Sequence, residues 1–193
     1  MNHVKAGGAN TQSGAVLEKR LDLTKLFENE GFVVKKTKRG WSEVLKNGKL
    51  VGLISVKKSF YNMLDDSGVD WMPRPAWQLQ PDGVFVNIRT ATVYVLEYKY
   101  QSRAGSVDEK LLTAPYRKKY FQRLYSRRQD FKVELLYVLG GRQFEENIAS
   151  RYRDVVTYLK DEGVTCLLLK DFSLGRLGPV SYTHLTLPTI LLV

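Results

Sequence analysis

Two runs, Pro81-Asp82-Gly83-Val84-Phe85-Val86 and Val93-Tyr94-Val95-Leu96-Glu97-Tyr98-Lys99-Tyr100-Gln101, decide how this chain folds. The first is a short β-branched strand opening on an acid. The second is a longer strand, and because side chains alternate with period 2, Val93, Val95, Glu97 and Lys99 share one face. Asn87-Ile88-Arg89-Thr90 lies between them, short and polar enough at its ends for a hairpin. Folded there, Asp82 lies opposite Val95 or Glu97, depending on register. Opposite and diagonal partners on one sheet face are roughly 5–8 Å apart, so Asp82, Glu97 and Lys99 converge on one patch.

Two carboxylates at that separation suit a hard divalent cation. Mg²⁺ takes oxygen ligands, commonly one or two carboxylates together with substrate phosphate and water. A lysine beside the metal helps to position and deprotonate a water that attacks phosphorus. These residue types therefore point to metal-assisted phosphodiester hydrolysis.

Pro81-Asp82 followed by Glu97-Tyr98-Lys99 on the next strand resembles the PD-(D/E)xK nuclease superfamily, the restriction-endonuclease-like fold. Tyr100-Gln101 and then Gly105-Ser106-Val107-Asp108-Glu109-Lys110 is similar to a phage and bacterial branch of it, in which an acid-x-lysine strand runs into such a segment. A lone Glu-x-Lys is common by chance; the full run from Pro81 to Lys110 is more specific. The resemblance implies an α/β fold with a restriction-endonuclease-like core, a central mixed sheet flanked by helices in αβββαβ order. It implies a Mg²⁺-dependent DNA endonuclease, with Mn²⁺ as a substitute cation. Asp82 and Glu97 would hold the metal and Lys99 would position and activate the water. Gln101, at the next i+2 step of the same face, would reach the metal water or a phosphate. In the resembled family a glutamate of the N-terminal helix often supports the metal, and Glu18 is the matching position; an ordinary solvated helix glutamate is the other reading. Glu109 and Lys110 match the family segment, with Lys110 on the nucleic-acid side.

Length and charge agree. The chain of 193 residues is 44% hydrophobic, which suits one domain with a real core. Thirty basic against 20 acidic residues give a net charge of +10, favouring a polyanionic partner without bearing on fold. Met1 to Ser13 is polar and Gly/Asn-rich, unlike a signal peptide. No apolar run reaches the roughly 18 residues of a membrane span, so a cytoplasmic location is expected. The single cysteine, Cys166, excludes an internal disulfide and cysteine-rich metal sites. It lies in the run Val164 to Leu169, where packing suits it better than reactivity.

Residues 1–12 read as a mobile arm. Ser13 caps a predicted helix running to about Glu30, with Gly31 as its stop. Phe32 to Lys36 is a strand, and Glu43–Lys46 with Lys49–Val56 is a hairpin about Asn47-Gly48, which supplies the positive φ of a tight turn. Lys57 and Lys58 come directly after it, either on phosphate or on a solvated edge. Residues 59–80 read as a long loop, since Pro73 and Pro75 exclude a regular helix or central strand there. Its Tyr61, Met63, Trp71, Met72 and Trp77 suit core packing under a lid better than stacking on bases. Asp65, Asp66 and Asp70 are spare acids.

Arg103 to Thr113 reads as a polar loop. Tyr116 to Arg128 is a basic helix with Lys119, Arg123 and Arg127 at i, i+4 and i+8, while Phe121, Leu124 and Tyr125 face inward. Six positive charges without an acid over these 13 residues suit rows of DNA phosphates, and a solvated face is the alternative. Phe131 to Leu139 is a strand ended by Gly140-Gly141. Phe144, Ile148, Tyr152, Val155 and Leu159 mark one amphipathic helix, and Val164 to Leu169 a buried strand. Residues 13–179 thus form one domain. Val180 to Thr189 is similar to what one frame of a sequencing-library adapter encodes, so residues 180–193 are expected to be a non-native tail and the domain to be cut short near Pro179. A homodimer would supply the two sites that cutting both strands calls for. The rival expectation is a non-catalytic nucleic-acid-binding or accessory protein.

Overall fold

The computed structural model describes residues 17, 19–71, 77–102, 107–128 and 130–178. Seven strands form one mixed sheet in sequential order. They are β1 (Val33–Lys36), β2 (Ser42–Lys46), β3 (Lys49–Ser55), β4 (Gly83–Asn87), β5 (Thr92–Tyr100), β6 (Lys132–Gly140) and β7 (Thr165–Leu168). The first five pair antiparallel; β6 joins β5, and β7 joins β6, in parallel. Short turns set the antiparallel pairings β1–β2, β2–β3 and β4–β5, β3 and β4 are joined by the long connection 56–82, and each parallel step needs a helical crossover. The crossovers are α3 (Val107–Leu111) with α4 (Ala114–Leu124), and α5 (Arg142–Asn147) with α6 (Arg153–Asp161). Two further α-helices among the described residues are α1 (Leu23–Asn29) and α2 (Ser59–Asp66). The chain is therefore α/β, a mixed sheet flanked by helices.

The alternation of β5 assigns its two faces. Val93 and Val95 pack with Val84 and Val86 of β4 and Leu135, Tyr137 and Leu139 of β6, under Phe60, Met63 and Leu64 of α2 and Phe121 and Leu124 of α4. Leu96 faces the other way, with Phe85, Ile54 and Leu136, against Leu23 and Phe27 of α1. Burying each such side chain contributes about 1.5–3 kcal/mol. Asn47 and Gly48 both take positive φ, 52° and 75°, as the β2–β3 turn requires.

Several sequence expectations change. The N-terminal helix is not continuous to Glu30: Asp22 interrupts it and caps α1, its Oδ1 accepting from Thr24 N at 3.0 Å, because a short polar side chain competes for backbone N–H groups. The 59–80 loop contains α2, whose Phe60, Tyr61, Met63 and Leu64 are buried on one face; Pro73 and Pro75 come after this helix in the chain and do not oppose it. The 103–113 loop contains α3. The helix marked by Phe144 to Leu159 is two helices, α5 and α6, with a turn at 148–152. Phe144, Tyr152 and Leu159 remain buried together, so the apolar spacing reports a shared face and not continuity. The basic helix ends at Leu124, with Tyr125 as C-cap. The arm 1–12, the helix start at Ser13 and the tail 180–193 lie outside the described residues.

Candidate active site at the β4–β5 edge

Gly83 pairs with Leu96, so Asp82, one step before it, comes opposite Glu97. Its carboxylate is fixed by the sheet: Oδ2 accepts from the backbone N–H of Tyr98 at 2.8 Å. The residue after it must be small, since a Cβ on Gly83 would lie 2.7 Å from the Tyr98 hydroxyl, which donates to Leu21 O at 3.2 Å. The approach to Asp82 is pinned as well. Lys57 N donates to Pro81 O at 2.8 Å. The Tyr61 hydroxyl, 2.8 Å from that of Tyr120, donates to Leu79 O at 2.7 Å. Tyr61, Met63 and Trp71 are core residues, whereas Trp77 is exposed; Met72 lies outside the described residues.

Lys99 joins the two acids. Its Nζ donates to Glu97 Oε2 at 3.1 Å, Asp82 Oδ2 at 3.4 Å and Tyr98 O at 3.0 Å, one acceptor for each N–H of an ammonium. The same Nζ stands 5.5 Å above the ring of Tyr137, which pairs with Glu97 across the parallel β5–β6 ladder. The Tyr137 hydroxyl is buried without a hydrogen-bond partner, and burial beside Glu97 pushes its pKa up.

A fourth group completes the cluster. Arg117 of α4 forms an ion pair with Glu97 Oε1 through Nη2, which also donates to Gln80 O at 3.4 Å. Each oxygen of Glu97 thus has its own cation. Burial pushes the Glu97 carboxyl above its ordinary pKa; Lys99 and Arg117 oppose that shift and Asp82 adds to it. In the sequence Arg117 is masked as a site residue, because the whole helix reads as a DNA-facing surface. The signal was present: Arg117 precedes Phe121 by one helical repeat and so shares its inward face. Tyr137 carried no comparable signal, being one aromatic in an apolar strand.

The other candidate residues are more dispersed. Gln101 is buried just beyond β5, its backbone N–H donating to Gly140 O at 2.9 Å and its carbonyl accepting from Gln143 N at 3.1 Å. Glu18 lies outside the described residues. Lys110 is exposed on α3, and Lys119 and Arg123 are both exposed on α4. Arg127 does not continue their stripe, because α4 has ended; it pairs instead with Asp70. The spare acids Asp65 and Asp66 engage Arg39, and their carboxylates accept from the indoles of Trp71 and Trp41. Cys166 is half-buried, its thiol pKa pushed up to about 12 by burial.

A cleft of about 700 Å³ opens on the α1 side, with Asp82 and Tyr98 in its wall beside Lys19, Lys36 and Lys57. Among the described residues no group of three or more His, Cys, Asp or Glu side chains gathers to hold a metal. Asp82 and Glu97 nevertheless offer the hard oxygen donors that Mg²⁺ uses when phosphate and water complete its shell. Among the same residues no helix is long and apolar enough to cross a membrane. Comparisons with protein-family models, with curated proteins and with solved structures find no match for this chain.

Proposed function

We propose that this protein is a Mg²⁺-dependent DNA endonuclease built on a restriction-endonuclease-like core. The observation that carries the proposal is the bridging of Asp82 and Glu97 by Lys99, at 3.4 and 3.1 Å from one ammonium. The element order supports it: α1, the antiparallel β3–β4–β5, α4 and then β6 parallel to β5 contain an αβββαβ series, with β1 and β2 between α1 and β3, α2 inserted between β3 and β4, and α3 ahead of α4. The net charge of +10 and the bases Lys119 and Arg123 of α4 favour a polyanionic substrate.

Asp82 and Glu97 would hold the cation, the first at the cleft wall and the second from the buried face of β5. A bound Mg²⁺ supplies Lewis-acid charge to the phosphoryl oxygens. Lys99 sits between the carboxylates, where it can orient the attacking water and offset charge building on phosphorus. Its present contacts hold the ammonium in place before substrate arrives, so little reorganisation is required. Incubation of supercoiled, linear and branched DNA with the protein, with and without Mg²⁺, tests the reading. Metal-dependent cleavage of any of them is expected, and no cleavage of all three refutes it.

A second reading has its own observation. Both Glu97 oxygens are already paired with cations, as in a structural ion-pair cluster on a non-catalytic nucleic-acid-binding protein. Calorimetric titration with Mg²⁺ separates the two, since that reading expects no binding heat.

A further inference from the structure

Arg117 is more than the nuclease reading of Asp82, Glu97 and Lys99 requires. Asp82, Glu97, Lys99 and Arg117 together sum to zero formal charge, so the free site is self-neutralised. A divalent cation entering it meets no net attraction unless one positive group leaves. Lys99 is held by contacts to three acceptors. Arg117 is held less completely. Its contacts to Glu97 and Gln80 both run through Nη2, the second at 3.4 Å, and its Nε is buried without a hydrogen-bond partner. An arginine retained for structure alone would normally present its planar fork to the carboxylate through two parallel bonds. The guanidinium also has an outlet: its side chain is 20% exposed, it lies against the residue preceding Pro81-Asp82, and the bases Lys119 and Arg123 share its helix.

We propose that Arg117 is a displaceable counter-ion, which neutralises Glu97 in the metal-free protein and is released by the divalent cation to engage a phosphate of the bound DNA. The proposal rests on the nuclease reading and assigns it a positioning residue outside the acid-x-lysine strand. In the free protein the Arg117–Glu97 pair offsets the cost of a buried carboxylate, because a buried charge without compensation is expensive. Once freed, an arginine suits phosphate better than lysine does, through paired N–H donors.

The test is calorimetric titration of Mg²⁺ into wild type, Arg117→Met and Arg117→Lys without DNA, with thermal melts to establish folding. Arg117→Met is expected to bind Mg²⁺ about tenfold more tightly, corresponding to about 1.4 kcal/mol, while Arg117→Lys stays near wild type. The slope of log DNA affinity against log salt is expected to fall by about one for Arg117→Met. In the wild type, the Arg117 Nε–H resonance should shift on Mg²⁺ addition, a readout that needs no variant to fold. Unchanged or weaker Mg²⁺ affinity in folded Arg117→Met, or a resonance indifferent to saturating Mg²⁺, overturns the proposal. If wild type binds Mg²⁺ and cleaves DNA, those results remove the counter-ion role alone; if wild type does neither, the nuclease reading fails and this inference fails with it.

Discussion

Two clusters of the molecule use the same ingredients and reach different ends. Arg39 pairs with Asp65 at 3.4 Å and with Asp66; Arg117 and Lys99 pair with Glu97, and Lys99 with Asp82. In the first cluster the side chains are 47%, 34% and 26% exposed for Arg39, Asp65 and Asp66. Water screens such pairs, and their contribution is about 0.2–1 kcal/mol. In the second, Lys99, Asp82 and Arg117 are 20–22% exposed and Glu97 only 4%. There the sheet register sets the spacing, backbone groups fix the orientation, and burial moves a pKa. Adjacent acids on a helix end make a surface latch; acids from paired strands make a candidate site. The difference lies in the scaffold and not in the residue types.

Neutralising the lysine on one side and the arginine on the other breaks this comparison most directly. Lys99→Met should slow Mg²⁺-dependent plasmid nicking by about 10²–10⁴-fold, whereas Arg39→Met should leave the rate within about twofold. Similar losses in both would show that any disturbed ion pair lowers activity, and the contrast would fail.

The raised Glu97 pKa gives a smaller, pH-dependent effect. The folded state holds this proton more tightly than the unfolded chain does. Stability from the group is therefore complete below the unfolded carboxyl value of about 4.3 and is lost as pH rises through the folded value. The melting temperature of Glu97→Gln should accordingly gain on wild type as pH rises from about 4 to about 8. Thermal melts across that range check it, and a constant or shrinking difference contradicts the assignment. The smallest effect belongs to Arg127, which pairs with Asp70 in an exposed setting. Arg127→Ala should change stability by less than about 0.5 kcal/mol and DNA affinity less than Arg123→Ala does. Filter binding at low salt checks this, and a larger loss for Arg127 would restore it to the α4 stripe.

How much of this could be read in the sequence varies with the kind of signal. The β4–β5 hairpin was legible because β-branched runs flank a short turn, and the period of β5 placed Glu97 and Lys99 on one face. The register was not: Asp82 could face Val95 or Glu97 until the Gly83–Leu96 pairing fixed it. α2 was hidden because its apolar spacing is eight residues long and has no side-chain cap, and the prolines beyond it dominate the local pattern. The break between α5 and α6 was hidden because burial of Phe144, Tyr152 and Leu159 does not require one continuous backbone. Arg117 was obscured by composition: within a run of bases, the one turned inward looks like its neighbours. Helix phase distinguishes it, and only the fold shows that Glu97 lies opposite.

Asp82→Asn, compared with wild type in Mg²⁺-dependent cleavage of supercoiled plasmid, tests the nuclease assignment most directly. It removes charge from one carboxylate while leaving an oxygen to accept from Tyr98. A fall of about three orders of magnitude in cleavage rate is expected, with DNA binding within about twofold of wild type. Equal cleavage rates would contradict a metal-dependent hydrolytic role for this site.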